Sequence, residues 1–194
     1  MSKESKIPTK KRIIETAIEL FRKNGYDKVT IKDICEKSGI SKSTFYYYFD
    51  SKDSIIADFK FYSDVYVEEN FNKLITSSNY VEQLWNFYEM YSKPTYEAGV
   101  EISKQIFISN LHEDHHFFAP GDIKLWETEK LLIQKAQQSG QILNTASPEK
   151  LAESLIFAME GVVLVWCIKN GDFDLFARIK QVFETILMVK PGYF

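Results

Sequence analysis

The sequence is poor in cysteine, proline and glycine, and each shortage excludes a class of protein. Two cysteines in 194 residues cannot form the disulfide framework of a small secreted domain. Five prolines and eight glycines exclude collagen-like and low-complexity chains. Cys35 and Cys167 both lie in apolar segments, where a buried thiol behaves as a small hydrophobic side chain.

Long apolar runs are also missing. Residues 1–11 are polar and lysine-rich, without the apolar segment of a signal peptide. No uninterrupted run of about 18 apolar residues occurs, so we expect no membrane-spanning helix. Together these absences predict a soluble, cytoplasmic protein that does not bind a membrane.

What the sequence does contain is an uneven distribution of charge and many aromatic rings. Residues 1–50 hold 11 Lys and Arg against 7 Asp and Glu, whereas residues 51–194 hold 13 against 20. A basic N-terminal segment followed by an acidic body is typical of a nucleic-acid-binding module joined to a different domain. The 15 Phe, 11 Tyr and 3 Trp can fill a large core or line a pocket.

Apolar residues recur at helical spacing along the chain, and the period-two alternation of strands is absent. We predict an all-α fold, with a three-helix DNA-binding domain over residues 1–52 and a helical ligand-binding and dimerisation domain over residues 53–194. A break is predicted at Lys93-Pro94, because proline disrupts a helix interior. The predicted helices span approximately residues 9–24, 30–38, 42–49, 52 into the seventies, 80–91, 96–111, 123–138, 148–170 and 173–189.

Residues 30–49 have the proportions of a helix-turn-helix. On its second helix, Phe45, Tyr48 and Phe49 are spaced so that they should face the core of the domain. The opposite face then presents hydroxyl and ammonium groups that can bind DNA. These groups belong to Lys42, Ser43, Tyr46 and Tyr47, with Thr44 at the margin and Ser41 as the capping residue. Arginine is absent from this helix, which excludes its bidentate recognition of guanine there.

Residues 9–56 resemble the N-terminal DNA-binding domain of the TetR family. The resemblance is carried by IETAIELFRKNGY over residues 14–26 and by TIKDICEKSGISKSTFYYYFDSK over residues 30–52. It implies that Thr30 and Lys32 position the first helix of the motif on phosphates. It also implies that Ser43, Thr44 and Tyr46 face bases or backbone, and that Tyr47 and Lys52 clamp phosphates. The chain departs from the family at Ser43, where glycine is commoner, and at Cys35, where alanine is usual.

The last two predicted helices are the candidate dimer interface. Residues 155–168 are apolar nearly all round, so that helix must be covered on both sides, and we expect it to be too short to span a membrane. The resemblance implies a four-helix interface in a homodimer that binds a palindromic double-stranded DNA operator. Packing within one chain is the alternative. The predicted interface residues are Leu155, Met159, Val162, Val163, Trp166, Phe176, Ile179, Phe183 and Ile186.

The aromatic-rich middle of the chain is the candidate effector site. The resemblance implies a pocket there for a small molecule whose binding releases a repressor from its operator. Ordinary core packing is the alternative for each ring. Scattered glutamates leave a lipophilic cation, a fatty ligand and an aromatic ligand all open. The candidate pocket residues are Trp85, Tyr88, Tyr91, Phe107 and Trp126.

One segment suggests a different chemistry, because His112, Glu113 and His116 match the HExxH signature of zinc peptidases. That signature works on a helix, where the two imidazoles share a face and the glutamate acts as base. Phe117 to Gly121, with proline before the glycine, predicts instead that the helix ends within the motif. We therefore predict no enzyme and no cofactor. A metal-binding regulator, a zinc hydrolase and a dimeric co-regulator without DNA affinity are the alternatives.

Overall fold

A computed structural model describes the backbone of residues 3–70, 79–115 and 123–193. Regular secondary structure in these ranges is helical, apart from one antiparallel bridge that pairs Ile142 with Val189. The predicted all-α class is confirmed. The helices are α1 (Lys3–Asn24), α2 (Ile31–Ser38), α3 (Lys42–Tyr48), α4 (Asp53–Ala57), α5 (Phe59–Asn70), α6 (Tyr80–Ala98), α7 (Val100–His112), α8 (Ile123–Gln138), α9 (Pro148–Ile168) and α10 (Leu175–Leu187).

Three predicted helix boundaries are wrong. α1 begins at Lys3, well before the predicted start near residue 9. α6 continues through Pro94 to Ala98, and the break falls at Gly99, whose φ of 85° favours glycine. Pro94 and its neighbour Thr95 are both buried, so packing offsets the backbone hydrogen bond that proline cannot donate. The predicted long fourth helix is interrupted at Asp58, the C-cap of α4. Its predicted continuation over residues 71–78 lies outside the described residues.

The chain divides into two compact units, and each is discontinuous in sequence. The first comprises Met1–Tyr62 and Glu97–Phe117, and the second comprises Ser63–Tyr96 and Phe118–Phe194. The predicted domain boundary at residues 52 and 53 differs from this division, in which α4 and α7 both belong to the first unit.

The first unit has one apolar core, to which α7 contributes as well as α1 to α4. Phe45 and Phe49, from α3 and its C-cap, are fully buried in it together with Ile102 and Ile106 of α7. α7 packs against α1 and α4. Because a three-helix domain of about fifty residues buries little of its own surface, α7 supplies cover that the N-terminal helices lack.

The second unit places α9 against both α8 and α10. α9 begins as the sequence predicts, with Ser147 as N-cap and Pro148 in the first turn. The Ser147 hydroxyl accepts a hydrogen bond from the Lys150 N–H at 3.4 Å. α10 begins at the N-cap Asp174, whose carboxylate accepts from the Ala177 N–H at 3.0 Å. These caps set where both helices begin.

α9 is 21 residues long and apolar enough to cross a membrane by length and composition alone. The expectation that it is too short is therefore wrong. However, 44% of its most apolar window is buried inside the chain, and a core helix of a soluble protein passes the same test. One side of α9 thus serves the core of the second unit.

Candidate nucleic-acid interface

α2 begins with the capping box that its sequence predicts. The Thr30 N–H donates to Asp33 Oδ2 at 2.8 Å, and the Asp33 N–H donates to Thr30 Oγ1 at 3.3 Å. Hydrogen bonds from the hydroxyl and the N–H of Thr30 lower the pKa of Asp33. At the other end Gly39, with φ of 67°, turns the chain towards α3. The capping box fixes where α2 begins, and the turn at Gly39 fixes where α2 ends and the chain enters α3.

Three hydroxyl groups meet at the beginning of α3. Ser41 Oγ accepts from the Thr44 N–H at 3.1 Å, and it lies 2.8 Å from Ser43 Oγ and 2.9 Å from Thr44 Oγ1. Each hydroxyl can donate and accept a hydrogen bond. The cluster therefore offers groups that suit either a phosphate oxygen or a base edge.

The inward and outward faces of α3 agree with the sequence prediction. Phe45 is fully buried, whereas Tyr46 is 53% exposed and Tyr47 is 57% exposed. Tyrosine side chains that present a ring and a hydroxyl to solvent are common in recognition surfaces, because they combine apolar area with a polar end.

The nine residues predicted to bind DNA differ in exposure. Thr44 and Lys52 are half-buried. The seven exposed residues are Thr30, Lys32, Ser41, Lys42, Ser43, Tyr46 and Tyr47. Lys32 lies 3.6 Å from the carboxylate of Glu36, a solvent-exposed pair that stabilises little and that a phosphate can displace.

Lys52 is held by the chain itself. Its Nζ donates to the carbonyl oxygen of Tyr26 at 2.8 Å and to that of Val29 at 3.3 Å, and it lies 4.1 Å from the centroid of the Tyr26 ring. The Tyr26 hydroxyl in turn donates to Asp53, and burial together with this contact raises the pKa of Tyr26. Lys52 thus ties the start of α4 to the segment between α1 and α2.

The HExxH-like segment does not form a metal-binding helix. α7 ends at His112, and Glu113 is extended, with φ of −149°. His116 lies outside the described residues. Among the residues that are described, no three His, Cys, Asp or Glu side chains are grouped to hold a metal. His112 and Glu113 instead line a cavity of about 440 Å³ in the first unit, together with Tyr26 and Asp53.

The five predicted effector residues are divided between the two units. Phe107 is buried in the first unit. The other four belong to the second, where Tyr88 is buried and Trp85, Tyr91 and Trp126 are half-buried. Trp85 and Tyr88 each pack against Phe183, with ring centroids 5.7 Å apart in both pairs.

Glu129 is a residue that the effector-site prediction misses. It is 4% exposed in α8, on the same face as the buried Leu125, Leu132 and Ile133. Burial raises its pKa to about 7, although a hydrogen bond from the Tyr88 hydroxyl acts in the opposite direction. The signal in the sequence is a carboxylate four residues after Leu125, within an apolar stripe at helical spacing.

Most of the residues predicted for the dimer interface lie in the chain's own core. Six of its nine residues are buried inside the second unit: Leu155, Met159, Val163, Trp166, Ile179 and Phe183. The other three, Val162, Phe176 and Ile186, are half-buried. These side chains face the chain's own core because α9 packs against α8 and α10 on that side.

The exposed apolar side chains of α9 lie on another face. Phe157 is 63% exposed and Ile168 is 70% exposed, with Leu164 and Val165 between them. Gly161 lies on the same face, and a Cβ there would meet nothing within 4 Å. We call Phe157, Gly161, Leu164, Val165 and Ile168 the α9 stripe.

Residues 13–59 match the family described as bacterial regulatory proteins, tetR family. The match contains all of α2, α3 and α4 and most of α1. These residues form a TetR-family domain. The resemblance inferred from residues 9–56 is confirmed.

Curated relatives share this TetR-family domain with the chain. The HTH-type negative transcriptional regulator IcaR of the biofilm operon icaADBC in Staphylococcus aureus is 50% identical over 46 residues, which are 24% of this chain and 25% of IcaR. The Bacillus subtilis HTH-type transcriptional regulator YerO is 47% identical over 47 residues, 24% of this chain and 16% of YerO. The chain thus matches a quarter or less of the length of these relatives.

Solved structures resemble the chain over nearly its whole length. Thermus thermophilus FadR, a TetR-family transcriptional repressor in complex with lauroyl-CoA, superposes with a TM-score of 0.58 at 19% identity. The superposition covers 92% of this chain and 93% of FadR. The likeness shows that the helices beyond the TetR-family domain also adopt the fold of these regulators.

Proposed function

We propose that this protein is a DNA-binding transcriptional regulator that acts in the cytoplasm as a repressor on a palindromic operator. The observation that carries the proposal is the exposed face of α3, where Lys42, Ser43, Tyr46 and Tyr47 lie over the buried Phe45. IcaR, which shares half of the aligned residues, is a negative regulator, and this favours repression.

The residue types on this surface divide the recognition of DNA. Lys32, Lys42 and Tyr47 suit phosphate oxygens, which position the protein without reading sequence. Ser43 and Thr44 suit base edges, and their hydroxyls are adjacent at the start of α3. Because α3 has no arginine, Lys42 is its one cationic group able to favour guanine.

We further propose that two copies pair through the α9 stripe. One short recognition helix buries too little surface for tight binding, so two DNA-binding domains must bind the two halves of a palindrome. The stripe is apolar and exposed on a helix whose other side is buried, and Gly161 leaves room for another helix to approach closely. A second copy offers the same stripe, and so a self-complementary surface.

The direct test is a mobility shift with the genomic fragment upstream of the protein's own coding region, at several salt concentrations. We expect a specific complex with a palindromic footprint, and an affinity that falls steeply as salt rises. A distant operator would still leave salt-sensitive binding to random DNA at low salt. Failure to bind any duplex at low salt would contradict the proposal.

Lys42, the first residue of α3, and Lys52, the N-cap of α4, should differ in their effects. Lys42→Met should lower the slope of log affinity against log salt by at most about one, because an exposed ammonium is lost from the phosphate contacts. Lys52→Met should change that slope less. It should instead lower the free energy of unfolding by about 1–2 kcal/mol, because the carbonyl oxygens of Tyr26 and Val29 each lose a charged donor. Salt titration and thermal melts of both variants measure the two effects. An equal loss of slope in the two variants would assign Lys52 to a phosphate.

We propose that the second unit binds a small-molecule effector that controls DNA affinity. The half-buried and buried rings of Trp85, Tyr88, Tyr91 and Trp126 support this role, since small-molecule sites are lined mainly by apolar and aromatic side chains. The complex of FadR with lauroyl-CoA shows that a protein of this fold holds a small molecule. A coupling of about 1–3 kcal/mol between the two sites would suffice.

A further inference from the structure

Glu129 and the rings around it form a buried acidic cluster inside the second unit. We propose that this cluster binds a lipophilic organic cation, with Glu129 as its counter-ion. The inference deepens the proposed effector site and rests on it for the regulatory role of the cation. Binding of the cation to the second unit stands independently of DNA.

The burial of Glu129 is the first support. A carboxylate withdrawn from water is costly unless a cation or several hydrogen bonds compensate it. Among the described residues, no Lys, Arg or His forms an ion pair with Glu129. The neighbouring Lys130 is directed elsewhere, to Glu127 at 2.8 Å and to Glu149 at 4.0 Å. A bound cation would supply the missing charge.

The aromatic rings near Glu129 are the second support. Tyr88 donates its hydroxyl to Glu129, and its ring packs edge-on against Phe87 and Phe183 at centroid distances of 5.7 Å. Trp85 extends the group through Phe183. Ring faces carry negative electrostatic potential and attract organic cations, most strongly where water is excluded.

The same features disfavour the other ligands that the sequence leaves open. A fatty ligand with an anionic head group would be repelled by an ionised Glu129. A neutral aromatic ligand would leave Glu129 to be neutralised by a proton and would gain nothing from its charge. A cation with apolar substituents satisfies both the carboxylate and the rings.

The ionisation of Glu129 gives the proposal a quantitative signature. Burial raises its pKa to about 7, and Tyr88 is the titratable group that acts on it among the described residues. A cation pairs with the ionised form, so binding must release a proton where Glu129 is protonated. Affinity should therefore rise about tenfold between pH 6 and pH 8 and level off above that range.

Isothermal titration with tetraphenylphosphonium and tetraphenylborate tests the proposal, because the two ions match in size and shape and differ in charge. The wild-type protein should bind the cation at least about a hundredfold more tightly than the anion, with proton release at pH 6. Glu129→Gln should lose at least about tenfold in affinity for the cation and should lose the pH dependence. Glu127→Gln, an exposed change on the same helix, should bind like the wild type.

Circular dichroism would verify that Glu129→Gln is folded, and the amide oxygen can still accept from Tyr88. Failure of the wild type to bind the cation, equal binding of the two ions, or an unchanged pH dependence in Glu129→Gln would overturn the proposal. Mobility shifts separate it from the proposed function. Cation binding by a protein without DNA affinity would refute the regulator and support the site. DNA binding by a protein that does not bind the cation would support the regulator and refute the cation site.

Discussion

Phe45→Ala is expected to abolish DNA binding by unfolding the first unit. Phe45 is fully buried, and its ring lies 5.8 Å from that of Phe49, which is also buried. Removing a buried phenyl ring costs about 3–5 kcal/mol. Because a typical domain is stable by only about 5–15 kcal/mol and a small helical unit lies near the low end of that range, this loss should bring the first unit to the edge of stability, with a large unfolded fraction. Far-UV circular dichroism and a thermal melt would show a partial loss of helix.

Tyr46→Ala is the matched control for Phe45→Ala. The two residues are adjacent on α3, and Tyr46 is 53% exposed. This variant should unfold within about 0.5 kcal/mol of the wild type, as most exposed substitutions do. It should nevertheless bind the operator more weakly, because Tyr46 lies on the proposed reading face. Full operator binding by Phe45→Ala, or unchanged binding by Tyr46→Ala, would contradict the assignment of the two faces.

Phe157→Glu is expected to convert the proposed dimer to a folded monomer. The side chain is 63% exposed, so the glutamate is solvated in the single chain. In the proposed dimer the same carboxylate would be buried in an apolar interface, opposite its own copy, at a cost of several kcal/mol. Operator affinity should fall at least about a hundredfold, because a single DNA-binding domain must then bind alone. Light scattering and mobility shifts measure the two effects.

Leu143→Glu provides the control for the α9 stripe. Leu143 is 51% exposed in the same unit but lies between α8 and α9, away from the stripe. Leu143→Glu introduces the same charge as Phe157→Glu at a similarly exposed position. This variant should remain a dimer that binds the operator. A stable dimer of Phe157→Glu would remove the stripe from the interface. Phe157→Glu also tests whether α9 crosses a membrane. If α9 forms a dimer interface and spans no membrane, the monomeric variant should be soluble without detergent.

The N-terminal motif was predictable because its determinants are local. Thr30 with Asp33 and Ser41 with Thr44 form the caps of α2 and α3 within four residues of sequence. Gly39 meets the need for a positive φ between the two helices. The spacing of Phe45 and Phe49 sets the buried face, and the exposed face follows from it. Such features need no information from distant residues.

The sequence was less informative where a residue's role depends on its neighbours in space. Lys52 has the type and place of a phosphate ligand, yet its ammonium binds carbonyl oxygens from the segment after α1. Helical spacing from Leu125 places Glu129, and not Glu127, on the apolar face of α8, but it does not show what the buried carboxyl contacts. Only the packing of α6 and α8 in the second unit brings it to the Tyr88 hydroxyl, and burial then raises its pKa.

By itself, the sequence determined the all-α class, the TetR-family domain and the exposed face of α3, because helical periodicity, caps and a contiguous motif are encoded over short distances. The tertiary structure alone decided that α7 completes the core of the first unit and that α6 continues through Pro94. It also decided which side of α9 is free. α9 is apolar around most of its circumference, so periodicity could not distinguish the side that packs on α8 and α10 from the side that carries the α9 stripe.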